Sequence, residues 1–275
     1  MVRRTGVPVG LVPCAHGGTS MDQWNPALKD KGGDSLYGAT LRRFQAVGGK
    51  VTGILWYQGE SDANPKAAPA FSEKFERLVA AFRADFGQPD LPFYYVQIGR
   101  HVNSQNVEYW NAVQEMQRKA EGSIPRVGMV AAIDVDLDDG IHVSTQDQKR
   151  VGKRLANLAM RDLFPKVQAP RRGPRFVSAR YAGGVVKVSF SDVNGRLRAE
   201  GRIWGFTIHN DQGEPAPLIY KARVDPQDGS TVWLSIGGKL GEGATLRYGY
   251  GKDPYRNLRD EADMGVAVFG PVPIQ

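Results

Sequence analysis

The strongest constraint on this 275-residue chain is a change in the period of its apolar pattern near Phe164-Pro165. Before that point, short apolar runs alternate with stripes at helical spacing. The short runs are residues 7–14, 51–57, 92–98 and 127–133, each of a length suited to a buried strand. Between them, Leu36, Tyr37, Leu41, Phe44 and Val47 recur as one face of a helix, as do Phe71, Phe75, Leu78, Val79, Phe82 and Phe86. A third helix includes Val113 and Met116, and a last one carries Val151, Leu155, Leu158 and Ala159 on one face. Strands that alternate with helices predict an α/β unit: a mainly parallel sheet covered on both faces, over residues 1–165.

Beyond the break the pattern shortens. Residues 170–174 read Pro-Arg-Arg-Gly-Pro, which precludes helix and weakens strand, so they are assigned as a linker. The runs at 185–190, 203–208, 231–236 and 245–250 then alternate with a period of two, and Asn-Gly and Asp-Gly pairs between them fit hairpin turns. A small all-β domain, sandwich-like, is expected over residues 170–275.

Composition removes several function classes. The formal charge is +7, but the basic residues are scattered and no long basic run exists, so nucleic acid is not expected as a partner. Cys14 is the single cysteine, which excludes an internal disulfide and a cysteine-rich metal site; its place in an apolar run predicts burial. No stretch reaches the apolar length of a membrane span, and no membrane partner is expected. The opening Met1-Val-Arg-Arg-Thr-Gly6 lacks the apolar core of a signal peptide. Localisation is therefore left open, with a secreted or periplasmic destination if an upstream segment exists.

In open α/β sheets, ligands bind outside the carboxyl ends of the strands. Three polar, glycine-bearing loops follow such ends: His16-Gly17-Gly18-Thr19-Ser20, Gln58-Gly59-Glu60-Ser61-Asp62 and Asp139-Gly140-Ile141-His142. The last offers an imidazole beside a carboxylate three residues away, half of a hydrolytic triad. His142 is the candidate general base and Asp139 the group that fixes its tautomer; a plain Asp-Gly turn is the competing reading. Gly18 could bring a backbone N–H to a developing oxyanion, and Gln58 could supply a second donor from its side-chain amide. A simple turn and a partnered strand-end amide are their alternatives. Glu60 is a candidate for binding a sugar hydroxyl, for orienting a neighbour, or for plain solvation.

A metal site built on His142 with Asp134, Asp136, Asp138 and Asp139 lacks any recognised ligand spacing. The acidic run reads instead as a solvated strand exit with one functional member. No Walker or dinucleotide-binding fingerprint is present either, and neither metal nor cofactor is expected.

The three loops together carry a resemblance. Residues 10–24, Gly-Leu-Val-Pro-Cys-Ala-His-Gly-Gly-Thr-Ser-Met-Asp-Gln-Trp, are similar to the second conserved block of the sialate O-acetylesterase and acetylxylan esterase family, within the SGNH hydrolases. Residues 56–62, Trp-Tyr-Gln-Gly-Glu-Ser-Asp, resemble its third block, and Asp139-Gly-Ile-His142 its last. The β-rich tail, including Leu246-Arg-Tyr-Gly-Tyr250 and Pro254-Tyr-Arg-Asn-Leu258, resembles the domain that ends many members. The resemblance implies a flavodoxin-like three-layer α/β fold. It also implies metal-free hydrolysis of acetyl esters on sugar hydroxyls, so an acetylated carbohydrate is the expected partner. In that scheme His142 is general base and acid, Asp139 its partner, and Gly18 and Gln58 line the oxyanion hole.

One departure stands out. The family opens with a strand and a Gly-x-Ser turn bearing the nucleophile, and neither precedes residues 7–14 here. Gly33-Asp34-Ser35-Leu36 is similar to the GDSL signature but follows a polar stretch, so Ser35 is expected to cap a helix beginning near Leu36. Ser20, beside the presumed oxyanion glycine, is the nucleophile candidate within the chain, and Ser61 a further one. A shortened chain and a non-catalytic carbohydrate-binding pseudoenzyme both fit this departure. An uncovered flank of the sheet would also favour a homo-oligomer.

Overall fold

The computed structural model describes residues 1–102 and 105–275. Helix α1 (Val2–Thr5) is one turn. Helix α2 (Leu36–Ala46) is followed by β1 (Ile54–Tyr57), α3 (Phe71–Asp85), β2 (Phe93–Gln97), α4 (Val107–Ser123), β3 (Val127–Ala131) and α5 (Thr145–Leu163). The three strands form a parallel sheet in the order β1-β2-β3, with Ile54 opposite Phe93 and Phe93 opposite Val127.

Side-chain alternation along β2 builds the layers. Phe93 and Tyr95 point to one face, where the α3 stripe of Phe71, Phe75, Leu78, Val79 and Phe82 is buried with Trp110 and Val113 of α4. The Phe75 ring meets Phe93 edge-on at 5.7 Å and Tyr95 at 5.1 Å. Tyr94 and Val96 point to the other face and pack with Val151, Leu155 and Leu158 of α5. The expected helix–sheet–helix arrangement is the one observed. Ser35 caps α2 as expected: it is fully buried and its Oγ accepts from the Gly38 N–H at 2.9 Å, an interaction worth about 1 kcal/mol.

The run at 7–14 departs from expectation and forms no strand. Leu11 is 78% exposed, Val7, Val9 and Val12 are exposed too, and Cys14 is only half-buried. Apolar side chains alone do not make a strand; the backbone needs a partner, and these residues hydrogen-bond to none of the three strands among the described residues.

The remaining chain is antiparallel. Strands β4 (Arg175–Ala182), β5 (Val185–Ser191), β6 (Leu197–Arg198), β7 (Phe206–His209), β8 (Pro215–Ala216), β9 (Ile219–Val224), β10 (Thr231–Ile236), β11 (Thr245–Tyr248), β12 (Arg259–Asp260) and β13 (Phe269–Pro273) follow the linker. Two four-stranded sheets, β4-β5-β10-β9 and β13-β11-β7-β8, contribute to one core that includes Val186, Val188, Leu234, Leu246 and Tyr248. The two-residue turn between β4 and β5 is Gly183-Gly184, both at positive φ, the conformation a tight hairpin requires.

The two halves share interior. Ala267 and Val268 belong to the core of α3 and α4, and Met264 to that of α5. Gln97, at the end of β2, is fully buried and clasps Val268 through both ends of its amide, accepting from the backbone N–H and donating to the carbonyl. This locks the β-rich half against the sheet edge where the polar loops lie.

Candidate active site

Asp139 and His142 are in direct contact. His142 Nδ1 lies 2.7 Å from Asp139 Oδ2, while Asp139 Oδ1 accepts from the backbone N–H groups of Ile141 and His142, each at 2.8 Å. The hydrogen bond to the His142 ring, followed by the two from the backbone, holds the Asp139 carboxyl down at about 2. It therefore stays ionised and fixes the ring with Nδ1 inward. The His142 side chain is 71% exposed, and no described residue bonds its Nε2.

The rest of the acidic run is more structural than its sequence suggests. The Asp134 side chain is only 4% exposed and accepts from both terminal nitrogens of the Arg154 guanidinium, at 2.7 and 2.6 Å, which corrects the expectation of a solvated run at this position. Asp138 accepts from the Thr145 N–H at 2.8 Å and so helps start α5, alongside Ser144, whose Oγ accepts from Asp147 N–H. These two caps set the position of the His142 turn relative to α5.

The other two loops meet through a buried network. Gln58, at the end of β1, donates from Nε2 to the Thr19 carbonyl at 3.1 Å and to the Asp62 carboxylate. Asp62, fully buried, also accepts from the Met21 N–H at 2.9 Å. Thr19 is braced in turn by the Trp24 indole N–H at 2.9 Å. Both amide hydrogens of Gln58 are thus engaged, and its role here is to tie the Gly18 loop to the β1 loop. Asp62 is a buried anchor of these two loops that the sequence reading passed over, although it stood inside a quoted motif. Burial pushes its carboxyl up, and the bonds from Gln58 and Met21 oppose that shift.

Gly18 adopts φ +69°, and a Cβ there would meet nothing within 4 Å, so the site around it is open. Ser20 belongs to this loop, but its Oγ faces Gln23 Oε1 at 3.5 Å, and Gln23 also accepts from its N–H. Glu60 is exposed as a residue. Its carboxyl nevertheless loses hydration to surrounding protein atoms and is raised, while the His142 charge acts in the opposite sense. The Glu60 and His142 loops therefore lie within electrostatic reach of one another.

A fourth loop, after β2, was not singled out from the sequence. Arg100 donates to the Val135 carbonyl at 2.9 Å and pairs with Asp253 at 3.0 Å. Val102 N–H donates to the Gly140 carbonyl, inside the His142 turn, at 2.9 Å. This loop braces the imidazole-bearing turn from the side of the β-rich half.

The Gly18 loop is thus bonded to the Gln58 loop at the end of β1, and the Asp139–His142 turn lies between β3 and α5. Comparison with known proteins gives the family: the model of the carbohydrate esterase family described as sialic acid-specific acetylesterase matches residues 1–161. The chain belongs to that family. A probable carbohydrate esterase of Arabidopsis thaliana is 32% identical over 153 residues, 54% of this chain and 54% of that protein, so the chain spans about half the length of the curated relative it matches. The structure of a carbohydrate acetylesterase from Xanthomonas citri superposes with a TM-score of 0.79 at 26% identity, covering 98% of this chain and 62% of that one. The crystal structure of an Arabidopsis thaliana protein matches with a TM-score of 0.50 at 30% identity, covering 58% of this chain and 64% of that one.

Proposed function

We propose that the chain hydrolyses acetyl esters on carbohydrate hydroxyls, with His142 as general base and acid and Asp139 as its orienter. The observation that carries this reading is the 2.7 Å contact from His142 Nδ1 to Asp139, which leaves Nε2 facing outward. In the reaction, Nε2 takes the proton of an attacking serine hydroxyl as its oxygen adds to the acetyl carbonyl. The carbonyl π electrons move to oxygen, where the backbone N–H of Gly18 supports the charge. Gln58 adds a donor only if substrate displaces one of its present bonds. Collapse breaks the bond to the sugar oxygen, which receives the proton from His142. Water then enters by the same base and releases acetate. In this reading Glu60 binds a neighbouring sugar hydroxyl.

Ser20 is the nucleophile candidate within the chain, with Ser61 a further one, and the Ser20 hydroxyl must turn from Gln23 toward the imidazole to act. That misdirection is the observation favouring the second reading, a carbohydrate-binding protein that keeps the cleft without turnover. Hydrolysis of a chromogenic acetate ester separates the two. The expected outcome is turnover that falls by about 10³-fold or more in His142→Ala. Labelling with a serine-directed phosphonate and peptide mapping is expected to mark Ser20. Label on another residue removes Ser20 from the scheme, and full activity of His142→Ala removes the dyad.

A further inference from the structure

The β-rich half carries an exposed aromatic cluster that the dyad chemistry does not use. Tyr255 is 65% exposed, Tyr220 64% and Trp204 45%. Single exposed aromatics are ordinary, whereas grouped and rigidly held ones mark binding surfaces. Trp204 and Tyr255 meet edge to face with centroids 6.5 Å apart. The Arg202 guanidinium lies 4.5 Å from the Trp204 ring centre and also donates to the Tyr220 carbonyl.

The cluster is rigid because Asn257 sews its two loops together. Asn257 Oδ1 accepts from the Trp204 N–H, and its Nδ2 donates to the carbonyls of Glu200 and Arg202, each at 2.8 Å. Gly205 then turns the chain at φ +104°, where a Cβ would lie 2.9 Å from the Tyr248 ring.

The same loop runs to the active-site edge. Gly251 N–H donates to Asn111 Oδ1 at 2.9 Å, the Lys252 carbonyl accepts from His101 N–H at 3.0 Å, and Asp253 pairs with Arg100. Val102, next after His101, bonds Gly140 inside the His142 turn. A short chain of hydrogen bonds therefore joins the aromatic cluster to the dyad.

Resting on the esterase reading above, we propose that Trp204 and Tyr255, with Arg202, form a distal platform for the pyranose rings of a neutral oligosaccharide. One acetylated unit of that chain would occupy the His142 site. The C–H faces of a sugar ring carry slight positive charge and are apolar, which suits the negative face of an aromatic ring. The hydroxyls at the ring edge would meet the unstacked N–H groups of Arg202 and the exposed Glu200 carboxylate. The platform turns an ester-selective site into one that selects esters on a sugar chain, because the second contact raises the local concentration of the first.

The test uses the full chain and the double variant Trp204→Ala/Tyr255→Ala, with equal melting temperature and circular dichroism as the check on folding. Titration calorimetry with unacetylated xylohexaose is expected to show binding to the native chain and to His142→Ala. The double variant is expected to bind about three- to tenfold more weakly, and Trp204→Phe to recover part of the loss. The ratio of kcat/KM on an acetylated xylo-oligosaccharide to that on a small acetate ester is expected to fall by a similar factor, through KM. No binding by the native chain, or equal binding by the double variant, overturns the platform. Binding without turnover would retain the platform and overturn the esterase reading alone.

Discussion

The two outer edges of one three-stranded sheet are finished in opposite ways. On the β3 edge, Met129 donates its N–H to Glu121 and its carbonyl accepts from Arg175, while the Ala131 carbonyl accepts from Arg154. Side chains thus satisfy the free backbone groups, and all five residues of β3 are buried. On the β1 edge, Leu55 is 54% exposed and Tyr57 42%, and the apolar run at 7–14, itself mostly exposed, pairs with none of the three strands. A sheet edge is closed either by another strand or by charged groups aimed at its backbone, and an edge with neither is a template for association. In this molecule Glu121 of α4, Arg154 of α5 and Arg175 of β4 together close β3, and nothing comparable covers β1 among the described residues.

The largest expected effect comes from breaking the closed edge. Arg154 is 2% exposed and bonds Asp134, the Ala131 carbonyl and the Asp263 carbonyl. Arg154→Ala leaves the buried Asp134 carboxylate with Arg150 as its remaining guanidinium partner and removes the bonds to the Ala131 and Asp263 carbonyls, and is expected to cost about 3 kcal/mol in denaturant unfolding. A loss below about 1 kcal/mol would mean that the edge is held by packing and not by these bonds.

Acid should find the same weakness. Burial alone would raise the carboxyls of Asp134 and Glu121. Arg154 and Arg150 overcome this for Asp134, as Arg175 does for Glu121, and both folded values lie below the ordinary ones of 3.8 and 4.5. Groups depressed on folding stabilise above their unfolded values, and that stabilisation is lost as pH falls through the folded ones. Melting temperature is therefore expected to decline below about pH 4, and Arg154→Ala to flatten the part due to Asp134. A variant with an unchanged acid profile would detach these ion pairs from the acid response.

The open edge should respond in association instead. Leu55→Lys is expected to change unfolding free energy by no more than about 0.5 kcal/mol, while shifting light scattering toward monomer at concentrations where the native chain self-associates. A native chain that stays monomeric throughout would show that the β1 edge is protected in another way.

Legibility in the sequence follows how local each feature is. The α3 stripe at Phe71, Phe75, Leu78, Val79 and Phe82 was readable because helical period alone sets which side chains share a face. The hairpin-rich second half was readable in the same manner. The 7–14 run was misread because strand formation needs a backbone partner, which apolar composition cannot supply. The Asp134 side chain is not solvated, because its partners Arg150 and Arg154 come from α5 and are shared with Asp263 in the segment after β12.

The sequence by itself determined the α/β class, the shift to β structure after Phe164-Pro165, and the Asp139–His142 pair, whose three-residue spacing lets one turn bring carboxylate and imidazole together. It also carried the family, through three motifs in order along the chain. Tertiary structure alone decided that Gln58 spends its amide on Thr19 and Asp62, that Arg100 and Val102 join the β-rich half to the His142 turn, and that one sheet edge is closed and the other open. The physical reason is distance along the chain: a local contact is written into spacing, whereas a long-range one exists only after the core has chosen which surfaces meet.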